Sequence, residues 1–518
     1  MVATFGDVSP GKFFISVRRI QRGVEEFVED GNPGTAPTIY DSDGELVWQG
    51  PLRKTMNFRV QKLFGEDVIT FWSGETGVLG YGYGRVHILD SSYNEIYTVT
   101  LKVNINTYDG VERDSYVDVH EHLITPQNTI ILSAINIAQA DTSDRPDGFP
   151  DTWVIDSQFY EVDITTNEIL FSWSALDHPD YLPLVDSKME IGGNGRAQND
   201  PWDAFHMNSI QPVKGGYVIS IRFWWSAFCF DLNGKFRWQL SGGGPEEGTI
   251  ENDAFFAWQH DIRVYNQTDD SLVLTVFDNH ARMADGPRDE TTGLVIDVDL
   301  VKMKGSTVRR ANSAGADPSE SKTQGSFQLL DYNTTGHMLM GYGSVSKFKE
   351  FDGDGKIVQI GQFGYPKHAQ SYRLLKYPWK AIPYWMPNVV AKRTSQYTSD
   401  ISVYMSWNGA TEHDNWNIYS IPKATSTMDE ATLLANHPRY GFETHVELLL
   451  PEVEHIIVEA RQGEKVLGTS EPTDIQPCEL DSDEQPDQSF SVASKFTRSQ
   501  VGAYTALVVW GLYSQIIF

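Results

Sequence analysis

The sequence predicts an all-β protein: a six-bladed β-propeller followed by a small C-terminal β-sandwich domain. Three observations lead there. A unit of strand, acidic turn and strand recurs six times; short apolar strands fall between the copies; and no strand–helix alternation of the kind a parallel α/β sheet needs runs through the chain.

The six copies read YDSDGELVWQG from Tyr40, HILDSSYNEIYTV from His87, YEVDITTNEILFSWS from Tyr160, FCFDLNGKFRWQL from Phe228, VIDVDLVKMKGSTV from Val295 and FKEFDGDGKIVQI from Phe348. Each has an aspartate before its turn (Asp41, Asp90, Asp163, Asp231, Asp299, Asp352), and these recur every ~50–70 residues, a blade-sized period with insertions. Asp-x-x-Gly and Asn-Gly turns suit tight hairpins, so each copy reads as the outer strand pair of a blade. Inner strands follow from VITFWSG at Val68, TIILSAI at Thr129, GYVISIRF at Gly216, SLVLTVFDN at Ser271 and HMLMGYG at His337. Four-stranded blades around an axis protect sheet edges; a pair of β-sandwiches is the alternative.

The propeller is placed at residues 1–425. From Gly441, GFETHVELLLPEVEHIIVEARQGEKVLG alternates apolar and polar residues, which places the sandwich at 426–518. Within it, residues 478–488 (CELDSDEQPDQ) form an acidic loop without an apolar anchor. The run AYTALVVWGLYSQIIF from Ala503 falls short of the ~20 apolar residues of a membrane helix and reads as a buried strand pair.

With 14 Trp, 23 Tyr and 26 Phe, the chain has the residues of strands and aromatic-lined pockets. Its net charge of -29 repels phosphate backbones and anionic lipid surfaces, so no nucleic acid is expected as a partner. Cys229 and Cys478 are too few for a disulfide framework and leave one bridge open. No basic segment followed by an apolar core marks a leader at the N-terminus, so the compartment stays open between cytoplasm and a secretory route with the leader removed. Asn266 and Asn333 open glycosylation sequons. No zinc spacing, P-loop, HExxH, GxSxG or dinucleotide fingerprint occurs, and Asp352-Gly353-Asp354-Gly355 reads as a hairpin turn. No metal or cofactor is expected.

Five histidines lie where the chain enters or leaves inner strands: His120 and His122 in YVDVHEHLITP, His206 in WDAFHMNSIQP, His260 in FFAWQHDIRVYN and His280 in VFDNHARM, most with an acid nearby. Imidazole exchanges protons near neutral pH and serves as a nucleophile, so a cluster of them at a propeller's funnel points to a site. Trp202, Phe205, Phe223, Trp224, Trp225, Phe255, Phe256 and Trp258 surround these segments; those facing the funnel would hold a flat apolar ligand, which makes an aromatic small molecule the expected partner.

The segments DPWDAFHMNSIQ, WQHDIRVYN with LTVFDNHA, TQGSFQLLDYNTTGHMLMGYGS running into KEFDGDGKI, QSYRLLKYPW and YMSWNGATEHDNWNIYS resemble, in order, the signatures of fungal arylsulfotransferase-like proteins. The resemblance implies a six-bladed propeller with a small β domain, and a histidine that is transiently sulfated while other His and Arg residues bind the sulfate. Carried over to matching positions, it marks His206 with Asn208, His260 with Asp261 and Arg263, Asp278 with Asn279, Gln324 with Ser326, and Arg373; His280 stands where the family has glycine. His206, His260, Arg263 and His280 are the catalytic candidates, and Asn208, Trp202, Phe205, Asp278, Asn279, Gln324, Ser326, Arg373, His120 and His122 the substrate-binding ones. For sulfotransfer, His206 or His260 would be the nucleophile and Arg263, Arg282 or Arg373 the anion clamp.

The same group is similar to enzymes of secondary metabolism that no longer move sulfate, among them hetero-Diels–Alderases of tropolone sesquiterpenoid biosynthesis. These join a quinone methide to a terpene alkene, by proximity and hydrogen bonding to a carbonyl oxygen. The net charge works against an anionic substrate unless the funnel is locally positive. Cycloaddition, with a terpene as co-substrate, is therefore the first expectation, sulfotransfer the second, and a non-catalytic binding propeller the third.

Overall fold

All six acidic turns join the third and fourth strands of antiparallel blades. The computed structural model describes residues 1–19, 36–244, 247–280, 290–313, 317–331, 334–395, 399–450 and 452–478. Blade 1 is built from Leu374–Tyr377, Lys12–Ser16, Pro37–Tyr40 and Leu46–Gln49; blade 2 from Thr55–Leu63, Glu66–Thr76, Gly82–Leu89 and Glu95–Val99. Blade 3 holds His122–Ile124, Thr129–Ala140, Thr152–Asp163 and Ile169–Ser174, and blade 4 Met207–Val213, Gly216–Ile221, Ser226–Asp231 and Phe236–Ser241. Blade 5 holds His260–Tyr265, Ser271–Asp278, Thr292–Asp299 and Lys304–Ala311, and blade 6 Ser326–Leu329, Met338–Gly341, Lys347–Phe351 and Ile357–Gln362.

The turn aspartates act by accepting backbone N–H groups just ahead of them: Asp41 from Asp43 and Glu45, Asp231 from Asn233 and Lys235, Asp352 from Asp354 and Lys356. This is why aspartate recurs there, since its short carboxylate satisfies donors that the tight turn leaves without ladder partners.

Two strands close the ring. The innermost strand of blade 1 comes from Leu374–Tyr377, paired antiparallel with Lys12–Ile15, while Val2–Thr4 adds an outer strand to blade 6 against Gln359–Gly361. Apolar side chains gather mainly between facing blades. Phe159, Trp173, Tyr217, Phe228 and Phe230, for example, pack between blades 3 and 4. The axis is left to polar groups.

A further eight strands from Asn388 to Gln476 form an additional, nearly closed sheet around Ala391, Val403, Met405, Trp416, Ile418 and Val458. It begins ahead of the boundary that the sequence places between 425 and 426. Strands Asn388–Arg393 and Asp400–Ser406 alternate like blade strands, and only their pairing, with each other and with Glu443–Leu449, assigns them to this sheet. The sheet meets the propeller through backbone and side-chain bonds from Gly409 N to Val47 O, from Tyr93 OH to Gly409 O and between Asn408 and Gln49.

Both cysteines are free, and burial pushes the Cys229 thiol up to about 12. Asn266 is exposed in a turn. Asn333, Arg282, the acidic stretch beyond Cys478 and the run 503–518 lie outside the described residues. Among the described residues, no helix is long and apolar enough to cross a membrane.

His413 sits at 4% exposure between Trp407 and Trp416, and neither ring nitrogen has a hydrogen-bond partner among the described residues. Burial pushes its pKa down to about 3. The unfolded chain therefore binds the extra proton between pH 3 and 6.5, and stability falls as pH drops through that window, by about 2 kcal/mol at pH 5. His413→Phe removes an unsatisfied polar ring and is expected to be more stable than the parent, with a flatter dependence of melting temperature on pH from 7 to 5.

Candidate active site

The floor of a cavity of about 460 Å³ is a ring of six side chains, one from the entry to each blade's innermost strand: Met56, His120, His206, His260, Gln324 and Tyr372. Equivalent positions in repeated blades converge on the axis, and this is what gathers residues so far apart in sequence. His206 and Gln324, and Asn57 one residue after Met56, have positive φ (54°, 63° and 58°), so the chain kinks as it enters these strands.

Each histidine of the ring is pinned through Nδ1. His120 bonds Asp118 at 2.7 Å, His206 bonds Asp203 at 2.6 Å and His260 bonds Asn279 at 2.7 Å. The Asn279 amide is itself oriented, because its Nδ2 donates to the carbonyls of Ser321 and Gln324. Its oxygen must then accept from His260, which fixes the proton on Nδ1 and the lone pair on Nε2. The Gln324 backbone N–H points at that Nε2 from 3.2 Å. His120 and His206 have carboxylate partners instead and keep Nε2 on the cavity side.

Ring centroids of His206 lie 5.0 Å from His120 and 6.5 Å from His260, with Tyr81 5.0 Å away and donating to Asp203. Burial lowers the pKa of His206, opposed by Asp203, and lowers that of His260 much further, with the Arg222 cation adding to the effect on both. Arg222 reaches the cavity on a short turn after the second strand of blade 4, clipped to the His206 segment by bonds from Arg222 N to His206 O and from Phe223 N to Phe205 O. Its side chain donates to the carbonyls of Trp258 and Lys322. Arg18, donating to Gln324 Oε1 at 2.7 Å, also lines the cavity. Phe223, Trp202 and Met189 form apolar wall.

One layer below the floor lies an ion network. Glu121 carries Arg59 at 3.0 Å, Arg263 at 2.7 Å and Arg373 at 3.2 Å, while Asp261 takes Arg263 at 2.7 Å and Arg373 at 3.0 Å. Burial pushes the Glu121 carboxyl up, but the three guanidinium groups outweigh it and hold it well below the usual range. Arg373 also stacks on Tyr372 and donates to the Asn208 carbonyl, bracing the floor from beneath.

Of the residues expected from sequence, the structure brings His120, His206, His260, Trp202 and Gln324 together in the cavity lining. Asp278 and Asn279 stand behind histidines. Arg263 and Arg373 lie in the lower network, where acids already neutralise them. Asn208, His122 and Ser326 are buried in structural bonds to Gln259 O, Thr70 and Leu374, and Phe205 is in the blade 3–4 core. His280 bonds Asp278 and lies outside the lining, against Phe255. Sequence reasoning missed Asp118, Asp203, Tyr81, Tyr372, Arg18 and Arg222. The Asp-x-His and Asp-x-x-His spacings were the available signal for the first two. Among the described residues no group of three or more His, Cys, Asp or Glu side chains is arranged to hold a metal ion.

Residues 59–364 match the family model described as arylsulfotransferase (ASST). The chain belongs to the arylsulfotransferase family. The match spans blades 2 to 6 and includes every histidine of the floor. No curated protein matches. Solved structures that the chain matches include a glycoside hydrolase family 43 arabinoxylan arabinofuranohydrolase from Bacillus subtilis (9% identity, 92% of this chain and 94% of that one, TM-score 0.29). Another is a sucrose-6-phosphate hydrolase from Lactobacillus gasseri (10% identity, 82% and 86%, TM-score 0.31).

Proposed function

We propose that this member of the family moves a sulfuryl group from an aryl sulfate to a phenol, with His260 as nucleophile and His206 as the proton carrier. The observation that carries this reading is the contrast between the two rings. His260 is backed by an amide and kept neutral, as a nucleophile requires; His206 is backed by a carboxylate that stabilises its protonated form, as an acid–base group requires.

In the first half-reaction, Nε2 of His260 attacks sulfur and the bond from sulfur to the aryl oxygen breaks; protonated His206 hands its proton to the leaving phenolate. In the second, His206 Nε2 takes the proton of an incoming phenol whose oxygen attacks the sulfur, freeing His260. Proton and sulfuryl group both balance over the cycle. The Gln324 N–H, released when Nε2 becomes substituted, and the Arg222 guanidinium are the donors suited to the sulfuryl oxygens. Phe223 and Trp202 offer the aromatic walls for the ring.

Cycloaddition, first in order on sequence grounds, has no feature of the cavity that favours it, whereas the family match favours sulfotransfer, so the order is reversed. Incubation with p-nitrophenyl sulfate is expected to release nitrophenol and leave the protein heavier by one sulfo group in intact mass; absence of both would refute the reading.

A pH dependence follows. The second half-reaction needs neutral His206, whose pKa is depressed by burial, so the midpoint of its protonation lies below the ordinary 6.5. Sulfated enzyme mixed rapidly with phenol should keep more than half its rate at pH 6.5 and reach the midpoint only in more acidic solution. A rate already halved at pH 7 would contradict this assignment.

A further inference from the structure

Blade 2 carries a second constellation of nucleophilic geometry, away from the axial cavity. We infer that Ser73, His87 and Glu95 form a serine-nucleophile triad that hydrolyses small carboxylic esters, with Arg53 as the oxyanion partner.

The strands themselves assemble it. Phe71 and His87 are direct cross-strand partners in the ladder between Glu66–Thr76 and Gly82–Leu89, so Ser73, two residues beyond Phe71, stands on the same face as His87. A register shift at Ile88/Leu89 in the next ladder brings Glu95 onto that face as well. The Ser73 hydroxyl is 2.7 Å from His87 Nε2, and His87 Nδ1 is 2.8 Å from Glu95 Oε1. Both distances are those of nucleophile to base and base to orienting acid in serine hydrolases. Phe71 stacks under the imidazole at 5.0 Å and 26°, fixing its plane, and Thr98 donates to Glu95.

The proton inventory agrees. Glu95 can only accept, so Nδ1 carries the hydrogen; Arg53 NH1, 3.2 Å from Nε2, can only donate, so Nε2 is the acceptor. Ser73 and Arg53 thus both offer a hydrogen to the single Nε2 lone pair, and the Ser73 contact is the shorter, 2.7 Å against 3.2 Å, the arrangement that activates its oxygen. Burial lowers the His87 pKa, opposed by Glu95, and so favours the neutral base. Ser73 is half-buried and keeps part of its surface open to solvent. The sulfotransfer cavity uses none of these residues.

The reaction closes without a cofactor. Ser73 Oγ attacks the carbonyl carbon as its proton passes to His87 Nε2, and the Arg53 guanidinium faces the charge that develops on the carbonyl oxygen. The bond to the alkoxy oxygen breaks and that oxygen leaves with the proton from His87. Water, deprotonated by His87, then attacks the acyl-serine and releases the acid, restoring Ser73.

The test is reaction with a fluorophosphonate probe, read by intact mass and peptide mapping, alongside hydrolysis of p-nitrophenyl acetate. A single adduct on Ser73 is expected, with ester hydrolysis lower by 10²–10⁴-fold in Ser73→Ala. Glu95→Gln, which preserves size at an exposed position, should slow labelling at least tenfold, and thermal melting establishes that each variant is folded. Labelling elsewhere than Ser73, no labelling under conditions that modify a reference serine hydrolase, or ester hydrolysis at the parent rate in Ser73→Ala would each overturn the assignment.

Discussion

His260→Ala is expected to abolish sulfuryl transfer and the sulfo mass gain together, because the covalent intermediate has no other place to form. His206→Ala should behave differently. It still has the nucleophile and Arg222, so sulfation by an activated donor such as p-nitrophenyl sulfate continues, while transfer to a phenol drops by about 10²–10⁴-fold. The two variants thus separate nucleophile from proton carrier, with burst size and steady-state rate as the readings. If His206→Ala lost the mass gain while His260→Ala kept it, the roles would be exchanged. Turnover of a quinone methide, with partial activity surviving both substitutions, would instead favour cycloaddition, which needs no covalent step.

The second large effect lies beneath the floor. Glu121 is fully buried and, with Asp261, offsets two of the three charges carried by Arg59, Arg263 and Arg373. Glu121→Gln keeps the shape but leaves three buried guanidinium groups facing one carboxylate, at a cost of about 3–5 kcal/mol. Denaturant unfolding should show that loss in the midpoint. A change of less than ~1 kcal/mol would mean that water or rearrangement already screens the network.

Much of this architecture could be read from residues alone. Six aspartate turns announce six hairpins because the chemistry of a tight turn is local: a carboxylate and the N–H groups just ahead of it. His120, His206 and His260 could be grouped because each stands at the entry to a blade, and repetition places equivalent positions side by side. What stayed hidden depends on partners distant in sequence. Arg263 and Arg373 look like anion clamps until Glu121 and Asp261 are found beside them, and Arg222 looks like any strand-end cation until its turn folds over His206. The start of the second sheet was obscured for the same reason, since residues 388–406 alternate as blade strands do and differ only in what they pair with.

The double closure of the ring bears on how the chain acquires its shape. Lys12–Ile15 waits for Leu374–Tyr377, and Val2–Thr4 for Gln359–Gly361, so both seams join segments at opposite ends of the propeller. During synthesis Lys12–Ile15 leaves the ribosome long before Leu374–Tyr377 exists, and its edge stays open until that segment has emerged. Pairings of such sequence separation are slow to find. Over that interval the nascent chain is exposed to edge-to-edge association, and a holdase that binds the first strands would act where this topology is most vulnerable.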